Sequence, residues 1–173
     1  LGKYKITKKI TQAFYNYSHP YLRQNILGIE FKNPVGLAAG FDKNGILTDI
    51  IPSIGFGFLE IGSITGSPCI GNPKPRLWRL IKSKSLAVYY GLKNDGAEII
   101  SKKLSKKNFA IPIGINIAKT NNKETTDTEI AILDYFKTYN LYQNIGSYFA
   151  INISCPNAFG GQPFTDREKL NLL

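Results

Sequence analysis

At 173 residues, 43% hydrophobic and 20% charged, the chain has the composition of one soluble globular domain. Lys+Arg 22 against Asp+Glu 12 leave a formal net charge of +10, but the lysines are scattered over exposed faces, the pattern of a solvated surface rather than of a specific nucleic-acid site. The single histidine, His19, and the lack of zinc-type spacing exclude His-rich metal sites. No apolar run approaches the ~20 residues that span a membrane, and the start lacks the apolar core of a signal peptide. Two cysteines, Cys69 and Cys155, are too few for a disulfide framework, so a reduced, cytoplasmic setting is expected. The chain opens on Leu1 and contains no Met, which points to a non-standard start codon or a missing beginning.

Residues 3–24 are basic and aromatic, with Ile6, Ile10, Ala13, Phe14 and Tyr17 at roughly helical spacing. One or two short amphipathic helices are expected there, ending near Pro20. They either pack on their own domain or lie in a membrane interface with lysines outward. Residues 1–34 thus read as a basic amphipathic extension. From Val35 the chain alternates. Residues 35–39 form a short apolar strand, and Ile46, Leu47, Ile50, Ile51 and Ile54 mark a helix behind it. Residues 58–61 form a second strand, followed by a long Gly- and Pro-rich loop to Tyr90. Asp95 opens a helix through Ala97, Ile100 and Leu104, and residues 111–117 form the third strand. Thr126 and Glu129 make a capping-box pattern for a helix carrying Ile130, Leu133 and Phe136. Residues 148–153 form the fourth strand, and Thr165 with Glu168 repeats the capping box.

Four β-then-α units imply parallel strands with right-handed crossovers, either as an open doubly wound sheet or as a barrel. The G-x-G-x-x-G fingerprint of the open dinucleotide-binding form is absent after the first strand. Polar residues instead follow every strand: Asp42 and Lys43, Ser63 and Thr65, Asn116, then Asn152 and Cys155. A βα barrel carries its active site at that end. A complete (β/α)8 TIM barrel needs about 250 residues, so residues 35–173 read as its first four βα units, truncated, behind a short helical extension.

Several residues at these ends can do chemistry. Cys155, between Asn152 and Asn157 on a Pro- and Gly-containing loop, suits a general base or nucleophile among amide donors and acceptors. The plainer alternative is a small buried hydrophobe. Small residues at Ala38–Gly40 let the backbone approach a flat ring closely, and Lys43 offers a compact charge to a carboxylate, unless it is simply solvated. Asn116 and Asn152 can donate and accept at once, as ring edges of flavins and pyrimidines require, though each could be a loop cap.

In chain order, Asn33 to Gly45 (NPVGLAAGFDKNG), Gly55 to Gly62 (GFGFLEIG), Asn72 to Arg79 (NPKPRLWR), Gly114 to Ile117 (GINI) and Asn152 to Asn157 (NISCPN) together resemble the dihydroorotate dehydrogenase family. The resemblance implies an FMN-binding barrel that oxidises dihydroorotate to orotate in pyrimidine (UMP) biosynthesis. By position, it implies flavin contacts at Ala39, Gly40, Ser63, Asn116 and Asn152, and substrate contacts at Lys43, Asn152 and Asn157. Cys155 falls on the catalytic base, which takes the proton from substrate C5 while the C6 hydride passes to the flavin. Lys43 is a candidate for favouring its thiolate.

Cys155 resembles the soluble members, whereas the residues before Val35 and the PRLWR segment resemble the membrane-associated members that reduce quinone. The expectation is a quinone-type relative, peripheral on the inner face of the cell membrane through residues 3–24. The family's substrate-binding Asn is replaced by Val88, and a polar edge left unpartnered costs about 1–3 kcal/mol. Either Tyr89 or Asn94 takes over, or the substrate is a related pyrimidine. The later strands, which supply the phosphate loops in such barrels, are absent from these 173 residues, so this length alone is expected to bind FMN poorly, to self-associate and to be inactive. The alternatives are another FMN barrel that reduces a pyrimidine or tRNA dihydrouridine, and an inactive basic half-barrel.

Overall fold

The computed structural model describes residue 2 and residues 4–173; Lys3, the first residue of the expected membrane-contacting segment, lies outside them. An N-terminal helix, α1 (Lys5–Tyr15), and a short 3-10 turn at Pro20–Leu22 precede an antiparallel hairpin of β1 (Gln24–Ile26) and β2 (Ile29–Phe31). The central sheet follows: β3 (Gly36–Leu37), β4 (Phe58–Ile64), then, after a second hairpin of β5 (Leu77–Leu80) and β6 (Ser85–Val88) and helix α2 (Ala97–Leu104), strand β7 (Ile113–Ile117). Helix α3 (Thr128–Tyr142), strand β8 (Tyr148–Ile151) and helix α4 (Arg167–Leu172) complete it.

The four central strands are parallel and lie in the order β3-β4-β7-β8. Each new strand is laid beside the last with no reversal about the first, which is how a barrel grows and not how a doubly wound sheet does. The fold is α/β, half of a TIM barrel. Its core lies between sheet and helices. Leu59, Ile61 and Ile64 of β4 and Ile113, Ile115 and Ile117 of β7 are fully buried against Ala97, Ile100 and Leu104 of α2 and Tyr142 of α3. Alternation sends Glu60, Gly114 and Asn116 to the opposite face. Tyr142 also donates its hydroxyl to the Ala97 carbonyl at 3.0 Å, tying α3 to the start of α2.

Several local expectations are corrected. Residues 46–54 form turns and a 3-10 helix (Ile51–Ile54), not an α-helix. Pro52 disfavours α-helical backbone at Ile51 and brings no N–H of its own, and the buried Asp42 carboxylate accepts from the Ile46 and Leu47 N–H groups at 2.9 and 2.7 Å. The Gly- and Pro-rich stretch before Tyr90 contains the β5–β6 hairpin, whose almost wholly exposed strands leave no alternation to read. Helices α3 and α4 are capped by Asp127 and Asp166, one residue after the expected Thr126 and Thr165; a carboxylate is as good an N-cap and also faces the helix dipole favourably. Helix α3 buries Ala131, Tyr135, Thr138 and Tyr142, while Ile130, Leu133 and Phe136 face outward. Helix α1 packs against the 51–54 turn with Ile6, Ile10 and Phe14 exposed.

Candidate active site

At the C-terminal ends of the strands lies a cavity of about 520 Å³, walled by Ala39, Gly40, Lys43, Ser63, Cys155 and Asn157, with Leu77, Val88, Tyr90 and Leu92 opposite. Six of the eight residues singled out by sequence line it, although they come from three separate βα loops. The other two, Asn116 and Asn152, sit directly behind Ser63. Asn152 Nδ2 donates to Ser63 Oγ at 2.8 Å, Ser63 Oγ donates to Asn116 Oδ1, and Asn116 Nδ2 donates to Glu60 Oε1 at 2.8 Å. One chain of hydrogen bonds therefore crosses three adjacent strands and fixes the rotamers of the three polar residues.

Ser63 reaches the cavity because β4 is irregular there. Its register to β7 shifts between Ile61 and Ile64. Gly62, at φ +129°, lies so close to β7 that a Cβ would stand 2.4 Å from the Asn116 carbonyl oxygen. Backbone bonds from Gly40 N–H to the Gly62 carbonyl (2.7 Å) and from Gly62 N–H to the Asp42 carbonyl (3.2 Å) fasten the loop after β3 to this bulge. Gly40 itself sits at φ +99° with nothing within 4 Å of the place a Cβ would take. A flat ring can lie against that backbone.

Lys43 is half-buried, donates to the Gly40 carbonyl and stands 3.9 Å over the Tyr90 ring. Burial, then the charge of Lys93, draw its pKa below 10.5, and Asp42 opposes the shift. The cation–π contact holds the ammonium at the cavity wall. Lys43 and Cys155 line this cavity together, and a second lysine, Lys119, walls a narrow cleft beside Cys155.

Val88 lines the cavity, as its position required, but neither proposed stand-in replaces it. Asn94 is buried and committed to the fold, donating to Thr65 Oγ1 and the Leu92 carbonyl at 2.8 Å each and accepting from Gly96 N–H at 2.8 Å. Tyr89 lies outside the cavity wall. That wall is apolar at Leu77, Val88 and Leu92.

Sequence reasoning missed Glu60, Tyr90 and Lys119. Glu60 follows a strand's apolar alternation, and its partners lie 56 and 88 residues away at Asn116 and Tyr148. Burial first, then the Glu60 carboxylate, push the Tyr148 hydroxyl from 10.0 up to about 12. Because the folded state keeps this proton between about pH 10 and 12 while the unfolded chain loses it, Tyr148 contributes stability that is complete below pH 10 and is lost as pH rises through 12. Tyr148→Phe, which has no proton to lose, is expected to show a shallower fall in melting temperature between about pH 10 and 12 than the wild type. Parallel curves would contradict that assignment.

The family model described as "Dihydroorotate dehydrogenase" matches residues 21–173. The chain is 37% identical over 166 residues to a dihydroorotate dehydrogenase (quinone) of Natronomonas pharaonis, covering 96% of this chain and 47% of that protein. It is 46% identical over 142 residues to the protein of the same name from Nitratiruptor sp., covering 82% and 40%. The crystal structure of Eimeria tenella DHODH in complex with ferulenol superposes with a TM-score of 0.79 at 31% identity, over 96% of this chain and 47% of that one. The chain spans about half the length of the curated relatives it matches. By the match over residues 21–173, it belongs to the dihydroorotate dehydrogenase family.

Proposed function

We propose that the protein carrying this chain oxidises dihydroorotate to orotate with FMN, in pyrimidine biosynthesis, and passes the electrons to a quinone. The observation that carries the reading is the convergence of Lys43, Ser63, Cys155 and Asn157 on one cavity, backed by Asn116 and Asn152. Ala39, the open backbone at Gly40, Ser63 and the two amides suit a flat, polar-edged ring, and would hold FMN. Bound there, FMN supplies the acceptor for the hydride that leaves substrate C6.

The chain's own residues do the rest. Lys43 pairs with the substrate carboxylate, its ammonium already drawn to the wall by Tyr90. Asn152 and Asn157 hold the pyrimidine edge. The Cys155 sulfur, as the thiolate, takes the proton from C5. One C5–H and one C6–H bond break, the C5–C6 double bond forms, the proton stays on sulfur and the electron pair departs with the hydride.

Two features support the quinone and the peripheral membrane contact. The relatives above carry "quinone" in their names. Helix α1 turns Ile6, Ile10 and Phe14 away from the protein at 72%, 56% and 81% exposure, with Thr7 and Thr11 on its inner side, an apolar face suited to a bilayer interface on a chain of net charge +10. The function is tested by supplying FMN and an acceptor and measuring orotate. Orotate is expected from dihydroorotate, and no reaction is expected with dihydrouridine in tRNA. The reverse preference would favour a tRNA-reducing barrel.

A further inference from the structure

The first residue but one after β7 is a lysine that the reaction above does not use. Lys119 is 4% exposed. Among the described residues no carboxylate lies within ion-pair distance of it. Taking an ammonium out of water without such a partner is costly, and burial accordingly draws its pKa below 10.5, against the opposing influence of Asp134, Cys155 and Cys69.

Its ammonium joins two segments. It donates to the Phe159 carbonyl at 2.6 Å and reaches the Thr125 hydroxyl at 3.5 Å. Phe159 lies four residues beyond Cys155 on the same loop, and Lys119 and Cys155 wall the same narrow cleft. A neighbour on the β7 loop grips the same segment without charge: Asn121 Oδ1 accepts from Phe159 N–H at 2.8 Å, and its Nδ2 donates to the Asn157 carbonyl at 3.4 Å. The loop after β7 thus holds the Cys155 loop at two points, one neutral and one cationic, and within the Cys155 loop Gln162 Nε2 donates to the Ser154 carbonyl at 2.6 Å. The ionisable groups around the cationic point are Asp134 and Tyr135 of α3, Cys69 of the loop after β4, and Cys155 itself.

We infer that Lys119 is a positioning residue for Cys155: it latches the loop through the Phe159 carbonyl and stands as the fixed positive charge behind the thiol. Among the described residues Lys119 is the one cation on this cleft wall, while Lys43 stands on the wall of the larger cavity that Cys155 also lines. A positive charge at this place draws anionic reactants to the neighbouring sulfur. The inference rests on the reading of Cys155 as the site's base.

The test is chemical modification of Cys155 in the protein as it stands, comparing anionic iodoacetate with neutral iodoacetamide by peptide mass spectrometry. Three variants are compared with the wild type. Lys119→Met removes donor and charge, Lys119→Gln keeps a donor and removes the charge, and Asn121→Ala slackens the loop but leaves the charge. The iodoacetate-to-iodoacetamide rate ratio at Cys155 is expected to fall about threefold or more in both Lys119 variants, and to stay at the wild-type value in Asn121→Ala while both rates rise. An unchanged ratio in whichever Lys119 variant keeps the wild-type circular dichroism spectrum overturns the assignment. An equal fall in Asn121→Ala also overturns it, since loop shape alone then sets the preference. Alkylation needs neither dihydroorotate nor flavin. A lowered ratio without orotate formation therefore leaves Lys119 in place and removes the reaction, and orotate formation with an unchanged ratio does the opposite.

Discussion

Cys155→Ala is expected to lower kcat for dihydroorotate oxidation by about 10²–10⁴-fold, the range that a single well-placed general base contributes. The sulfur is half-buried on the wall of the cavity that holds Lys43 and Asn157, whereas the Ser63 hydroxyl on that wall is committed to Asn116 and Asn152. Lys43 is the nearest alternative, but its ammonium is already engaged with the Gly40 carbonyl and the Tyr90 ring. The substitution removes one exposed-side atom from a loop held by Lys119, Asn121 and Gln162, so folding is expected to survive and KM to change little. Cys155→Ser is expected to retain more activity than Cys155→Ala and less than the wild type, because a hydroxyl can relay the proton but ionises with far more difficulty. Steady-state kinetics on the three proteins decide it. A loss below tenfold in Cys155→Ala would mean that the base is another group.

The second large effect is structural. Gly62→Ala is expected to destabilise the protein by about 3 kcal/mol or more, at the upper end of single substitutions. The backbone there is at φ +129°, a conformation that L side chains rarely adopt, and the added Cβ would stand 2.4 Å from the Asn116 carbonyl oxygen and 2.9 Å from the Ile64 nitrogen. Both are backbone atoms of paired strands, so neither can swing aside as a flexible side chain would. Relief at the Asn116 oxygen must come from moving β4 away from β7, which disturbs the buried sheet and moves Ser63 out of its chain of hydrogen bonds with Asn116 and Asn152. The midpoint of urea unfolding measures the loss. A change under about 1 kcal/mol would show that the bulge can absorb a side chain.

Much of this was legible in the chain itself. The strands at 58–61, 111–117 and 148–153 were found within a few residues because each is an apolar run with a turn signal before it. The site was legible because polar residues at strand ends converge in a barrel whatever their separation in sequence. What escaped had physical reasons. The 46–54 stretch has helical spacing of isoleucines, but Pro52 and the Asp42 carboxylate settle its backbone locally. The β5–β6 hairpin is held by its own ladder and exposes both faces, so no periodicity marks it. Ile130, Leu133 and Phe136 have the spacing of a core stripe, yet tertiary packing chose Ala131, Tyr135, Thr138 and Tyr142, which carry the contacts to sheet and neighbouring helix. Lys119 looks like any surface lysine in a Thr- and Asn-rich loop. Only its burial and its bond to Phe159, 40 residues on, single it out.

The dihydroorotate half-reaction tests the central claim most directly. The full-length protein that carries this chain, loaded with FMN, is mixed anaerobically with dihydroorotate, and flavin absorbance and orotate are followed together. The expected result is rapid bleaching of the oxidised flavin with one orotate formed per flavin reduced, fast in the wild type and slowed by about 100-fold or more in Cys155→Ala. Flavin that stays oxidised in the presence of excess dihydroorotate, or that is reduced equally fast without the Cys155 sulfur, would contradict it.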